Sequence, residues 1–340
     1  MNTAPRVLVM MATYNGARYL KQQIDSILSQ EQVAITLRIR DDGSSDDTCR
    51  IAQGYASEYS NVLFSRNEEN EGVARNFMHM VYEDDQHVNG PYDYYAFADQ
   101  DDIWRPRKLA RAIEMLRPPC ASARDTRDGF AESAASSKRP GEGVGASGPA
   151  LYYSDATNFD DEREWSELAD YRPVLRYPTT LLLRNWASGC TMVFNRELRD
   201  LLCAHKLDTF PRIHDVWVHL VALAKGSVYA DFDTSLIRRR ITGHNVVGDL
   251  SDHHTSVAQA GKDLGNLRHE SDHAPSRVAQ QLLDEFGDDM DPSLQESAQM
   301  LACYRRSLRT RILAASRFRF WQPSRRGRLI VRLCFLLGRY

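Results

Sequence analysis

The apolar positions in the first hundred residues change period several times. Residues 7–12 form a near-continuous apolar run, the pattern of a strand buried on both faces, and Leu20, Ile24, Ile27 and Leu28 follow at helical spacing. Ile35, Leu37 and Ile39 then alternate with polar residues up to Asp41-Asp42-Gly43-Ser44-Ser45-Asp46. Residues 47–59 read as a second helix, which Ser45 or Asp46 can cap. A strand over 62–65, a helix over 73–82 and a strand over 94–98 complete the series, which ends in Asp99-Gln100-Asp101-Asp102. Trp104 and Pro106 are expected to pack beneath the next helix and to open it. This order predicts an α/β fold with a doubly wound, mostly parallel sheet and helices on both faces, whose ligands bind beyond the carboxyl ends of the strands. Each polar cluster stands at such an end.

Past residue 117 the pattern breaks. Residues 119–150 are rich in Ala, Ser, Gly, Pro and charge with almost no large apolar side chain, so they read as a disordered insertion. Apolar periodicity resumes over 151–248 with a short strand at 151–154, a helix from Arg196 and another near Asp215. The remainder, 249–340, reads as a helical extension. Eighteen consecutive apolar residues occur nowhere, and the apolar run at the N-terminus is too short for a signal peptide, so the expectation is a cytoplasmic chain that at most touches the inner face of the cell membrane.

The net charge of −3 hides a polarity: residues 301–340 hold eleven arginines and no acidic residue, leaving about −14 on the rest. A globally basic nucleic-acid binder is disfavoured, and no nucleic-acid partner is expected. The six cysteines have no CxxC spacing, which argues against a zinc site or a disulfide framework and for a reducing compartment.

Two acidic clusters at one sheet edge suit a nucleotide diphosphate, because carboxylates can hold Mn²⁺ or Mg²⁺ against phosphate oxygens while others accept bonds from base and ribose. No GxxxxGK[ST] or GxGxxG run is present, which disfavours a P-loop enzyme and a dinucleotide-binding dehydrogenase. The runs ATYNGARYLKQQIDSILSQ, IRDDGSSDDT and FADQDDIWRPRKL together resemble the inverting glycosyltransferases of family 2, especially the bacterial rhamnosyltransferase-like members. The resemblance is strongest over residues 5–118 and extends more weakly over 150–248. It implies a GT-A-like fold, with residues 1–118 as the donor-binding half and 151–248 as the acceptor-binding half. It further implies that Thr13, Tyr14 and Asn15 wall the nucleotide pocket and that Asp41 and Asp42 contact base and ribose. Asp99 would support the ribose or sugar, and Asp101 or Asp102 would bind the metal.

An inverting transfer is one displacement in which the acceptor hydroxyl loses its proton while it attacks, so the second half must supply a base. By the same resemblance Asp215, in Ile213-His214-Asp215-Val216-Trp217, is the candidate; an N-cap role is its rival. The resemblance also implies that Arg240 neutralises phosphate and that His244 ligates the metal. The glycine of Ser188-Gly189-Cys190 would let substrate approach closely, and Cys190 reads as a small buried residue.

These readings combine into a metal-dependent inverting glycosyltransferase, with L-rhamnose from dTDP-rhamnose as leading donor and a cell-surface glycan or polyprenyl-linked precursor as acceptor. The alternative is a non-catalytic glycan- or nucleotide-binding homologue. The arginine, aromatic and aliphatic composition of 301–340 suits either contact with an anionic membrane or packing on the core. Deleting about residues 121–148 across a short linker should leave melting temperature and turnover nearly unchanged; a large loss of either would show that the insertion contributes to the fold.

Overall fold

The computed structural model describes residues 4–83, 91–117, 148–166, 172–209, 213–242 and 274–340. The insertion's interior lies outside the described residues, as does His244. The chain alternates β1 (Arg6–Thr13), α1 (Ala17–Leu28), β2 (Ala34–Asp41), α2 (Thr48–Glu58), β3 (Val62–Arg66), α3 (Val73–Tyr82) and β4 (Tyr94–Ala98). It continues through β5 (Ile103–Trp104), α4 (Lys108–Leu116), β6 (Ala150–Phe159), β7 (Glu164–Ser166), β8 (Val193–Asn195) and α5 (Arg196–Ala204). Then come α6 (His214–Lys225), β9 (Ser227–Arg240), α7 (Ala274–Phe286), α8 (Pro292–Cys303), α9 (Leu308–Arg317) and α10 (Arg325–Leu337).

One nine-stranded sheet takes the order β3-β2-β1-β4-β8-β6-β9-β5, with β7 on β6. β1 is paired in parallel with β2 over eight positions, from Arg6 opposite Ala34 to Thr13 opposite Asp41, and with β4 on its other side. Parallel pairing holds for β1 to β4 and again for β6 with β9, while β8 runs antiparallel to both β4 and β6, β5 antiparallel to β9 and β7 antiparallel to β6, which makes the sheet mixed. The strands of both expected halves therefore belong to one sheet.

Alternation along β1 sends Leu8 and Met10 to one face and Val7, Val9 and Met11 to the other, all fully buried. On the second face they meet Leu20, Ile24 and Ile27 of α1, Ile51 of α2 and Leu109 and Ile113 of α4. On the first they meet Phe77 of α3, Leu198 of α5, Val216 and Leu220 of α6 and residues of α7 to α10. Burial on both faces explains the unbroken apolar run that opens the sequence.

Two local expectations need correction. Trp104 is buried, but it lies in β5, and α4 begins only at Lys108, so Pro106 precedes the helix instead of opening it. β9, a fourteen-residue strand, was not expected at all. Its pairing with β5, Ile103 opposite Arg238 and Trp104 opposite Ile237, carries the arginines at its end to the acidic cluster.

The turn after β2 is built by Asp41, which is fully buried. Its Oδ1 accepts from the Gly43 and Ser44 backbone N–H groups at 3.1 and 2.8 Å, and its Oδ2 from the Thr13 and Ser44 hydroxyls at 3.0 and 2.5 Å. Gly43 sits at φ +87°, where a Cβ would be strained. Burial alone would raise the Asp41 carboxyl, but the bonds from Ser44, Cys49 and Thr13 outweigh it and hold the group below 3.8. Asp41→Ala should therefore lose about 3 kcal/mol by urea unfolding and Asp41→Asn about half of that, because buried donors are left unpaired. A carboxyl depressed in the folded state stabilises above its unfolded value and loses that contribution as pH falls through the lower folded value. The gap between wild type and Asp41→Asn should accordingly narrow below pH 3.8, and a gap independent of pH would contradict this assignment.

Candidate active site

A cleft of about 440 Å³ opens beyond the carboxyl ends of β1, β2 and β4. Thr13, Tyr14, Asp42, Asp99, Asp101 and Asp215 all line it, from positions that span two hundred residues of sequence. Asn70, Asn76, Phe77, Gln100, Ser188, Gly189, His214 and Arg239 complete much of the wall.

Four expected residues, Asp41, Asn15, Arg240 and Asp102, do not reach the cleft wall. Asp41 is consumed by the turn described above. Asn15, at φ +49°, accepts from the Ser45 N–H at 2.9 Å while its own N–H donates to the Ser44 hydroxyl at 2.8 Å, so it joins the two loops. Arg240 lies between the rings of Tyr19 and Phe159, 4.2 and 4.3 Å from their centres. Its Nε donates to the Asp101 carbonyl at 3.0 Å, its Nη2 to Gln22 at 2.6 Å and its backbone N–H to Asp102 Oδ1 at 3.0 Å. Arg240 thus holds the acidic loop from behind. Arg239, one residue earlier, faces the cleft and donates from Nε to Asn158 Oδ1 at 2.9 Å.

Asp42 keeps its place on the cleft wall because its carboxylate is fastened: Oδ1 accepts from Asn67 Nδ2 at 2.8 Å and the Glu71 N–H at 2.9 Å, and Oδ2 from the Gly72 N–H at 2.9 Å. The middle residue of the second cluster, Gln100, makes a two-point clip, accepting the Tyr14 N–H at 2.9 Å and donating to the Tyr14 carbonyl at 3.0 Å. Sequence reading passed over it, and only its position between two acids could have marked it.

Asp99, Asp101 and Asp102 differ in exposure. Asp102 is 1% exposed, lies behind the wall, and its Oδ2 has no hydrogen-bond partner among the described residues; Asp101 opens into the cleft. Burial raises all three carboxyls, and neighbouring carboxylates raise them further: Asp215 takes Asp99 to about 6, Asp99 takes Asp101 to about 7, and Asp99 with Asp101 takes Asp102 well above the usual range. Lys108 is buried nearby with its ammonium 3.5 Å from the centre of the Trp104 ring, and burial pulls it down to about 7. Asp99, Asp102 and Cys190 offer ligand atoms within 4.8 Å of one another. Burial and the neighbouring Asp102 and Asp99 push the Cys190 thiol far up, so it stays protonated and is a poor donor for a hard ion.

Asp215 is the second residue of α6, with Ile213 at the N-cap, so the capping alternative does not apply. Its Oδ2 accepts from Asn185 Nδ2 at 3.0 Å and the Gly189 N–H at 3.1 Å. Gly189 has a different use from the expected one. A Cβ there would stand 3.1 Å from His214 Nε2 and 3.3 Å from Asp215 Cβ, so the glycine admits the start of α6 itself. His214 stacks on Phe77 at 4.1 Å, neither ring nitrogen has a partner among the described residues, and burial pulls it down to about 3, which leaves it neutral.

The family model described as "Glycosyl transferase family 2" matches residues 8–176. The chain belongs to glycosyl transferase family 2. It is 38% identical over 109 residues to the dTDP-rhamnosyl transferase RfbG of Shigella flexneri, covering 31% of this chain and 36% of that protein. It is 33% identical over 115 residues to the uncharacterized glycosyltransferase alr2836 of Nostoc sp., covering 33% of each. The chain thus spans about a third of the length of these relatives. In fold it is similar to the crystal structure of S. aureus TarS 1-349, with a TM-score of 0.54 at 12% identity over 98% of this chain and 80% of that one. The family's GT-A-like architecture agrees with the mixed sheet and its helical C-terminal region.

A Cβ on Gly16 would fall 2.1 Å from Gln100 Oε1, so Gly16→Ala must displace the clip to Tyr14. Gly16→Ala and Gln100→Ala should each cost about 1–2 kcal/mol by chemical denaturation, and the double variant should be no worse than Gln100→Ala alone. Simple additivity would mean that Gly16 acts through something else.

Proposed function

We propose that the chain is an inverting, metal-dependent glycosyltransferase that moves a sugar from a nucleotide diphosphate donor to a glycan or polyprenyl-linked acceptor at the cytoplasmic face of the membrane. The observation that carries this reading is the convergence of Asp42, Asp99, Asp101, Arg239 and Asp215 on one cleft. Similarity to a dTDP-rhamnosyl transferase makes dTDP-rhamnose the first donor to test.

The residues present suit a hard divalent ion. Several oxygen donors are gathered where burial and their own repulsion raise them, and the buried Asp102 Oδ2 has no hydrogen-bond partner among the described residues. Asp101, open to the cleft, would hold Mn²⁺ or Mg²⁺ with support from Asp99, and Asp102 would serve from behind through its bond to Arg240. When bound, the ion supplies charge neutralisation to the departing diphosphate. Thr13 and Tyr14 wall the nucleotide, Asp42 accepts from base or ribose, and Arg239 takes the expected place of Arg240 beside the phosphates. Asp215, oriented by Asn185 and Gly189, receives the acceptor hydroxyl proton as the new bond to C1 forms and the bond from C1 to phosphate oxygen breaks.

Purified protein screened against a panel of nucleotide sugars should release nucleotide diphosphate only with Mn²⁺ or Mg²⁺ present. Asp101→Asn should abolish that metal-dependent release, while Asp102→Asn should act mainly on stability; the reverse pattern would move the ligand one residue along. Asp215→Asn should lower transfer by about 10²–10⁴ with donor affinity and melting temperature nearly unchanged, and an active Asp215→Asn protein would remove Asp215 from the mechanism.

A further inference from the structure

The last two helices carry an apolar face that nothing among the described residues covers. Of the large hydrophobic side chains exposed in the structure most belong to α9 and α10, with Leu308 at 66%, Leu329 at 60% and Leu337 at 65% exposure. At helical spacing, Leu329, Ile330, Leu333, Leu336 and Leu337 occupy one arc of about 120° on α10. The opposite side of the same helix buries Cys334 and Phe335, and Phe335 packs on Tyr304, Phe318 and Tyr340. Core packing therefore uses one face of α10 and leaves the other. The hairpin is held in shape by caps at Ser307 and Ser324, a left-handed Gly338, and Arg332, which donates to the Ala315 carbonyl.

The rim of this face is arginine. Residues 301–340 contain eleven arginines and no acidic residue, and Arg325, Arg326 and Arg328 stand exposed at the start of α10. We propose that the α9–α10 face seats on an anionic lipid bilayer, the leucines entering the acyl boundary while the arginines meet lipid phosphates. A second copy of the chain fits poorly, since a two-fold contact would oppose two arginine rims. An RNA would satisfy the arginines but leave the aliphatic arc in water.

The placement relative to the cleft fits this occupant. The segment between α9 and α10 is bonded to the acceptor side of the molecule: the Thr179 hydroxyl donates to the Arg319 carbonyl at 2.7 Å and the Trp321 N–H to the Thr180 hydroxyl at 2.8 Å. The same stretch leads on to Asn185 and Gly189, which hold Asp215. The bilayer would thus grip a hairpin tied to the segment that positions the proposed base. The inference rests on the proposed function only in taking the acceptor to be lipid-linked.

Co-sedimentation of the full chain with vesicles tests it, comparing phosphatidylcholine alone with phosphatidylcholine plus phosphatidylglycerol. The wild type should bind the mixed vesicles, weaken in high salt, and bind neutral vesicles about tenfold less or worse. Leu333→Asp with Leu337→Asp should lose about tenfold or more, and Arg325→Gln and Arg326→Gln about fivefold each, with circular dichroism melts and donor hydrolysis in solution unchanged. Absence of vesicle binding, equal binding to neutral lipid, or variants that bind like the wild type would overturn the proposal. So would a dimer in sedimentation equilibrium that the leucine variants dissociate, or RNA that displaces the vesicles. Vesicle binding without any donor turnover would leave the docking standing and fail the proposed function instead.

Discussion

Negative charge gathered at one sheet edge is the constraint from which the site follows. A buried carboxylate must be met by donors, neutralised or paired with a cation, and the carboxylates at this edge differ in which of these they have. Asp41 and Asp42 are met by backbone and side-chain donors, and their reward is a rigid pair of loops after β1 and β2. Asp99, Asp101 and Asp102 are left partly uncompensated, with raised carboxyls and an unpartnered oxygen. That difference separates the carboxylates fastened by donors from those left partly uncompensated.

The second half of the chain completes the edge through strand pairing. β8 joins β4, and the β5–β9 ladder returns a distant arginine pair to the acidic loop. Alternation along β9 gives adjacent arginines different work: Arg240 turns inward between Tyr19 and Phe159 to hold the loop, while Arg239 faces the cleft. α6 brings Asp215 in from the other side, and Gly189 allows that helix to come close.

β1 was legible because burial on both faces leaves a continuous apolar run, β2 because its apolar residues alternate with polar ones, and the acidic clusters because they end these patterns. β9 was not, since its half-buried residues mix Asp, Thr, Ser and Arg with apolar ones and lack a clean period. The choice between Arg239 and Arg240 turns on the register of a strand paired with residues more than 130 positions away, which spacing cannot reveal. Asp41 was assigned to the ligand for a similar reason: adjacent acids look alike in sequence, and only the turn at Gly43 decides which is spent on the backbone. The apolar arc on α10 was visible as composition, whereas its exposure depended on Phe335 and Cys334 having taken the inner face.

The most direct test of a donor site on this sheet edge is anomalous diffraction from crystals grown with Mn²⁺ and dTDP. The account predicts a manganese peak at Asp101, with the nucleotide against Tyr14 and Asp42 and its diphosphate facing Arg239. A peak enclosed by Asp99, Asp102 and Cys190, or a nucleotide bound away from this cleft, would contradict it.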